Sequence, residues 1–321
     1  MESSHLSSSR LDIFLKKPFF AILSLAVPIL LGMGIHTLYN LADMYFIGKL
    51  GGQEIAAVAF NMPIFFLILG LTMGLGSGVT ASVARYIGQK DKIKADRCAE
   101  HAIIIAFFIS IIFTSLGLIF GKSILIILGA KDFILTQAWD YLFFITLGLP
   151  FMVFSAFFRS VLAGEGDMKF PMIVAGLGTI LNIILDPIFI FDLKDYGGFG
   201  LNLGVKGAAL ATVVSQLFTF TIFVFILFVK KYSYINYNFK KFIPSKLIFM
   251  DIVKVGVPAS LSMVIMAFGQ AVFNKILILY SAQTVAAYQV AGRIDMLIFL
   301  PIFAIAGAMT TLVGMFYGAN K

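Results

Sequence analysis

The sequence predicts an all-α polytopic membrane protein, and three observations carry that class. Hydrophobic residues make up 60% of the chain and charged residues only 12%, with a mean hydropathy of +1.00, whereas soluble domains carry about 25% charged residues. Several apolar runs exceed the roughly 18 residues that a helix needs to cross about 30 Å of hydrocarbon. Positive charge alternates from loop to loop along the chain.

Residues 1–18 are polar and serine-rich and read as a cytoplasmic N-terminal segment. The first apolar run is longer than the core of a secretory signal and lacks a small-residue cleavage site, so it reads as a retained helix. Apolar runs set between charged breaks predict eight spans, near 19–46, 56–84, 99–120, 136–161, 170–191, 205–230, 250–279 and 284–316.

Their direction follows from Lys and Arg, which are retained on the cytoplasmic side. Arg10, Lys16 and Lys17 precede the first span, and Arg85, Lys90, Lys92, Lys94 and Arg97 follow the second. Arg159 and Lys169 are set in the fourth loop, Lys230, Lys231, Lys240, Lys241, Lys246 and Lys254 in the sixth, and Lys321 in the tail. Those 17 oppose five on the other side (Lys49, Lys122, Lys131, Lys194 and Lys206), which puts both termini in the cytoplasm of a bacterial or archaeal inner membrane. Lys275 and Arg293 remain inside spans.

The same scatter excludes a nucleic-acid partner despite a formal charge of +8, because no single face collects the basic residues. The single cysteine, Cys98, cannot form an intramolecular disulfide. There is no phosphate-cradling glycine-rich motif and no cluster of catalytic residues, so neither ATP-driven transport nor an enzyme is expected.

A shift of 230 residues aligns 22–91 with 252–321 without a gap, and 15 of the 70 pairs are identical. The informative matches are Pro28 with Pro258, the Gln53, Ala56, Ala57 group with Gln283, Ala286, Ala287, and Gly88 with Gly318. Both copies start on the same side, the pattern of a parallel repeat about an axis along the membrane normal. The expected division is a six-helix lobe over 19–231, a polar linker over 232–249 and a partial second lobe over 250–321. A second lobe of six would need four more helices, so the sequence reads as part of a longer chain, with an eight-helix protein as the alternative.

Ionisable residues at membrane depth are costly and mark function by default. Asp43 lies near the outer end of the first span and Asp186 near that of the fifth, at similar depth. Asn182 stands one turn deeper than Asp186 on the same face, and Thr212 in the sixth span reaches the same level. Carboxylates, a carboxamide and a hydroxyl form an oxygen set suited to a hard cation, or to a proton held by neighbouring buried carboxyls. The metal assignment, if the ion is Na⁺, is therefore Asp43, Asn182, Asp186 and Thr212.

His36, Tyr39 and Asn40 on the first span, with Arg293 and Asp295 near the middle of the eighth, are candidates for a substrate or proton cavity. Positions 36, 40 and 43 are expected to share one helical face. Pro28 and Pro187 each remove a backbone hydrogen bond and are candidate hinges.

At these residues the sequence resembles the MATE (multidrug and toxic compound extrusion) family, in its prokaryotic DinF-like branch. The stretches AVPILLGMGIHTLYNLADMYFIGKLG, GEGDMKFPM, NIILDPIFIF, GVKGAALATVVSQ and AAYQVAGRIDMLIFLPIF carry the likeness. The resemblance implies two six-helix lobes of the MATE/MOP type, alternating access, and export of cationic or amphipathic drugs against inward Na⁺ or H⁺. It implies a cation site at Asp43, Asn182, Asp186 and Thr212 and bending of the first helix at Pro28, and no cofactor beyond the coupling ion. The competing expectations are a flippase for lipid-linked sugars, which needs a strongly charged cavity, and a fragment that depends on a partner or does not transport.

Overall fold

A backbone in lipid must satisfy its own N–H and C=O groups, so each apolar run becomes a helix. The computed structural model describes residues 10–192, 200–277 and 282–320, without the side chains of Lys241 and of most positions from 267 to 297. Its long helices are α1 (Pro18–Gly48), α3 (Met62–Gly88), α4 (Lys92–Ile127), α5 (Asp132–Gly164), α6 (Lys169–Ile190), α7 (Val205–Val224), α8 (Lys246–Leu277) and α9 (Ala282–Gly318), with the short α2 (Gly52–Ala59) before α3. Among the described residues eight spans are long and apolar enough to cross a membrane, and no strand occurs.

The element ends differ from expectation for identifiable reasons. Hydropathy marks only the apolar part of a helix, whereas α4 begins at the charged turn after Asp91, whose carboxylate caps it by accepting from the Lys94 amide at 3.0 Å. The second span is two helices because Asn61, fully buried, donates its carboxamide to the Ala57 carbonyl (3.0 Å) and to the Ala138 carbonyl of α5 (3.2 Å). Pro63 then falls in the first turn of α3, where its missing N–H costs nothing.

The repeat is visible in the packing. α3 lies against α8 and α9, and α1 lies against α9. A Cβ at Gly88 would overlap the carbonyl oxygen of Met315, and one at Gly318 would overlap that of Arg85. Positions 85 and 315, like 88 and 318, are equivalent under the 230-residue shift, so the two contacts are reciprocal, as a two-fold axis between α3 and α9 requires. Small residues at such crossings let helix backbones approach within a membrane.

The end of the bundle that carries the basic loops is also where the main core lies, built around Val79, Val83, Phe157, Val161, Ile252 and Leu312. There Asp251 at the start of α8 bonds both Arg85 and Tyr86 of α3. The connection between α7 and α8 is strapped onto this end along its length. Glu165 accepts from the Ser233 hydroxyl and from the amides of Tyr234 (3.1 Å) and Ile235 (3.4 Å). Asp167 accepts from Tyr232 (2.8 Å) and Arg10 (3.2 Å). Asp96 and, one turn on, the adjacent Glu100 and His101 of α4 accept the amides of Asn236, Asn238 and Ser245 at 2.8 to 2.9 Å. Burial pushes the Glu165 carboxyl up to about 7, and its hydrogen bonds oppose that rise.

Replacing Glu165 by Ala strands the Ser233 hydroxyl and the Tyr234 amide, while the Ile235 amide keeps its bond to Ser233 Oγ at 3.0 Å; the cost is about 3 kcal/mol concentrated on the strap. Trypsin cleavage after Lys230, Lys231 and Lys240 is expected to rise by about two orders of magnitude. Unchanged cleavage rates would contradict a strap held by this carboxylate.

Candidate cation site

The four expected ligands sit where α1, α6 and α7 meet, at the end of the bundle opposite the basic loops. Asp43 is 8% exposed, and Asn182 and Asp186 are fully buried. Asn182 precedes Asp186 by one turn of α6, which brings their side chains together. With its carboxamide oriented to suit both neighbours, the Asn182 nitrogen donates to Asp186 Oδ2 at 3.2 Å and its oxygen accepts the Thr212 amide at 3.3 Å. The Thr212 hydroxyl lies 2.9 Å from the Tyr39 hydroxyl. A continuous polar line therefore runs from α1 through α7 into α6.

The two carboxylates interact electrostatically, and Asp43 Oδ1 has no hydrogen-bond partner despite its burial. A buried carboxylate oxygen without a donor is costly unless it carries a proton or faces a cation. Two acidic groups with a carboxamide and two hydroxyls between them can share one proton or surround one small cation.

The other sequence expectations fare differently. Positions 36, 40 and 43 do not share one environment. His36 and Asn40 are exposed while Asp43 is buried, although α6 lies along α1 beside His36 as well, with Gly176 against Ile35. Asn40 donates to His36 Nδ1 at 3.0 Å, so these two form their own pair. Tyr39, expected on the cavity wall, turns instead toward Thr212 and belongs to the polar line. Arg159, counted with the fourth loop although the expected span ran to 161, lies within α5, five residues before its end. α1 continues through Pro28 and α6 through Pro187 without interruption. Arg293 and Asp295 fall on α9, but their side chains lie outside the described residues, as does that of Lys275.

One member of the site has no sequence signal. Tyr141 of α5 is 5% exposed and interacts electrostatically with Asp43, Tyr39 and Asp186. Nothing in its neighbourhood, WDYLFF, separates it from the other aromatic residues of a membrane helix.

Comparison with known proteins identifies the family. The MatE family profile matches residues 28–188 and again 258–321, and the two matches start 230 residues apart. The chain is 29% identical over 318 residues to the multidrug export protein MepA of Staphylococcus aureus, covering 98% of this chain and 68% of that protein. It is 29% identical over 302 residues to the probable multidrug resistance protein NorM of Thermotoga maritima, covering 94% and 63%. A solved MOP superfamily transporter from Pyrococcus furiosus superposes with a TM-score of 0.87 at 37% identity, covering 93% of this chain and 65% of that one. A solved MATE in complex with MaD3S gives 0.88 at 37% identity, with 93% and 66% covered. The chain thus spans about two thirds of the length of these relatives.

Proposed function

The chain belongs to the MatE family, and from that premise we propose that it exports cationic or amphipathic drugs by antiport against Na⁺ or H⁺. The observation that carries the coupling half of this reading is the buried pair Asp43 and Asp186 with an unpartnered carboxylate oxygen. Relatives named for multidrug export supply the substrate half.

In this reading the basic end is cytoplasmic, 19–231 forms one lobe, and 250–321 begins a second about the axis between α3 and α9. The ion comes from outside, binds Asp43, Asp186, Asn182 and Thr212, and neutralises the carboxylates. Tyr39 and Thr212 hold α1 to α7, so occupancy of the site is transmitted to α1, with Pro28 and Pro187 as hinges. A ligand drives such a switch only by its difference in affinity between the two states, and the acidic pair supplies that difference. The contacts of α3 with α8 and α9, closed in this structure, part when the protein opens to the cytoplasm.

Arg159 is a feature that a lipid-linked sugar flippase would share, but one arginine is little counter-charge for a pyrophosphate. The test is transport of a fluorescent cationic dye into vesicles holding the protein, with Na⁺ and proton gradients imposed separately. Dye accumulation is expected with one gradient and its collapse with the matching ionophore. Dye movement that ignores both gradients would remove the antiport reading.

A further inference from the structure

Arg159 stands five residues before the end of α5 at Gly164, about 8 Å inside that end by the helix rise. The level is marked by Ala163, whose carbonyl accepts the Thr311 hydroxyl of α9 at 2.9 Å. The side chain is exposed, and among the described residues it makes no ion pair or hydrogen bond. An arginine at this depth is sustained by protein or water and not by lipid tails.

His36 identifies the space it faces. The ring, on α1, lies within electrostatic range of the Arg159 guanidinium, although α1 packs on α6 and α9 and α5 packs on α3, α4 and α7. Both side chains are exposed, so at this range they border one accessible space. Helical side chains lean toward the N-terminus of their own helix. α1 starts at the basic end and α5 at the opposite one, so His36 and Arg159 lean toward each other. His36 Nδ1 is engaged by Asn40, itself exposed, which leaves Nε2 and the guanidinium free on the same wall. Charge is segregated: the acidic pair is buried at the α1, α6 and α7 junction, and a lone cation faces the opening.

We propose that Arg159 is a specificity-determining residue that takes an oxyanion, a carboxylate or a phosphate, carried by an amphipathic substrate, with His36 as a second polar contact. The proposal rests on the export reading and deepens it: the favoured cargo carries a negative group, alone or beside a positive one. A guanidinium suits this role because its fork of N–H donors matches the two oxygens of a carboxylate or phosphate.

The test uses two rhodamine dyes with the same xanthylium cation, one with a free carboxylate and the other its methyl ester. Binding is followed by fluorescence polarisation to the protein in phosphatidylcholine nanodiscs, and transport in vesicles. The wild type is expected to bind the carboxylate dye about tenfold tighter than the ester. Arg159→Gln is expected to erase that preference while leaving ester affinity within about twofold, and Arg159→Lys to keep part of it. Equal affinities in the wild type, or a parallel loss of both dyes in Arg159→Gln, would overturn the assignment; the wild-type ratio decides it even if the variant fails to fold. Repeating the binding with added phosphatidylglycerol separates the sources. Competition by the anionic lipid would assign the oxyanion to a lipid phosphate, and an undiminished preference would assign it to the cargo's carboxylate. A binding preference with no gradient-driven transport of either dye would remove the export reading and leave the oxyanion site standing.

Discussion

Asparagine at Asp43 or at Asp186 is expected to abolish gradient-driven transport while leaving the protein folded. Either substitution removes one of the two negative charges that give a cation or proton its affinity for the site. The loss is about 3 kcal/mol, or a factor of about 150 in ion affinity. The fold tolerates the change because asparagine matches aspartate in shape and relieves a buried charge. At position 186 its carbonyl can still accept from Asn182, and at position 43 the affected oxygen has no partner to lose. The double variant is expected to be no worse than either single one, since both carboxylates act on the same ion and groups that act as a unit do not add. Size-exclusion and thermal unfolding check the fold, and dye uptake under each gradient checks the coupling. Gradient-dependent uptake within twofold of the wild type in either single variant would remove these residues from the coupling site.

The spans and the acidic pair were legible in the sequence for related reasons. Lipid allows few backbone solutions, so apolar length alone points to helices, and a carboxylate inside such a run is conspicuous because it is costly there. The spacing of Asn182 and Asp186 on one helix face was readable without tertiary information. What escaped was whatever depends on a neighbouring helix. Tyr141 joins the site only because α5 packs on α7 and so comes within electrostatic range of Asp43 and Asp186. Tyr39 faces Thr212 because α7 brings that hydroxyl to α1, and Asp43 is buried where α6 and α7 meet α1 while His36 is exposed. Arg159 lies so near the end of its helix that its charge reads as a loop charge. The strap of residues 232–245 looks solvated in sequence, because the carboxylates that hold it, Glu165, Asp167, Asp96 and Glu100, precede their partners by 65 to 140 residues.

Valine at Gly88 is expected to lower the unfolding midpoint by about 6–12 °C, and valine at Gly318 to lower it by the same amount. At both positions the new Cβ would run into a backbone carbonyl, that of Met315 or that of Arg85. A carbonyl within a helix cannot rotate aside, so α3 and α9 must separate. Overpacking of this kind costs about 3 kcal/mol, and each kcal/mol moves the midpoint of a large domain by about 2–4 °C. Equality of the two effects is the discriminating part, because it follows only if the contacts are related by the axis that relates the repeats. The double variant should cost little more than either single one, since helices already forced apart by one side chain have room for the second. Gly34→Val provides the control, as a Cβ at that position of α1 meets nothing within 4 Å. If the closed contact between α3 and α9 is one of the two states that the transporter alternates between, the same wedges also bias it toward the state open at the basic end. A cysteine placed at Ser260, a buried and near-isosteric position on α8, is then more reactive toward a water-soluble maleimide in Gly88→Val than in the parent, because its neighbours Leu71 and Gly74 on α3 have drawn away. Unequal midpoints for the two glycine variants would mean that the sequence repeat is not a symmetry of the packed molecule, and unchanged maleimide reactivity would mean that the crossing is a fixed seam through the whole transport cycle.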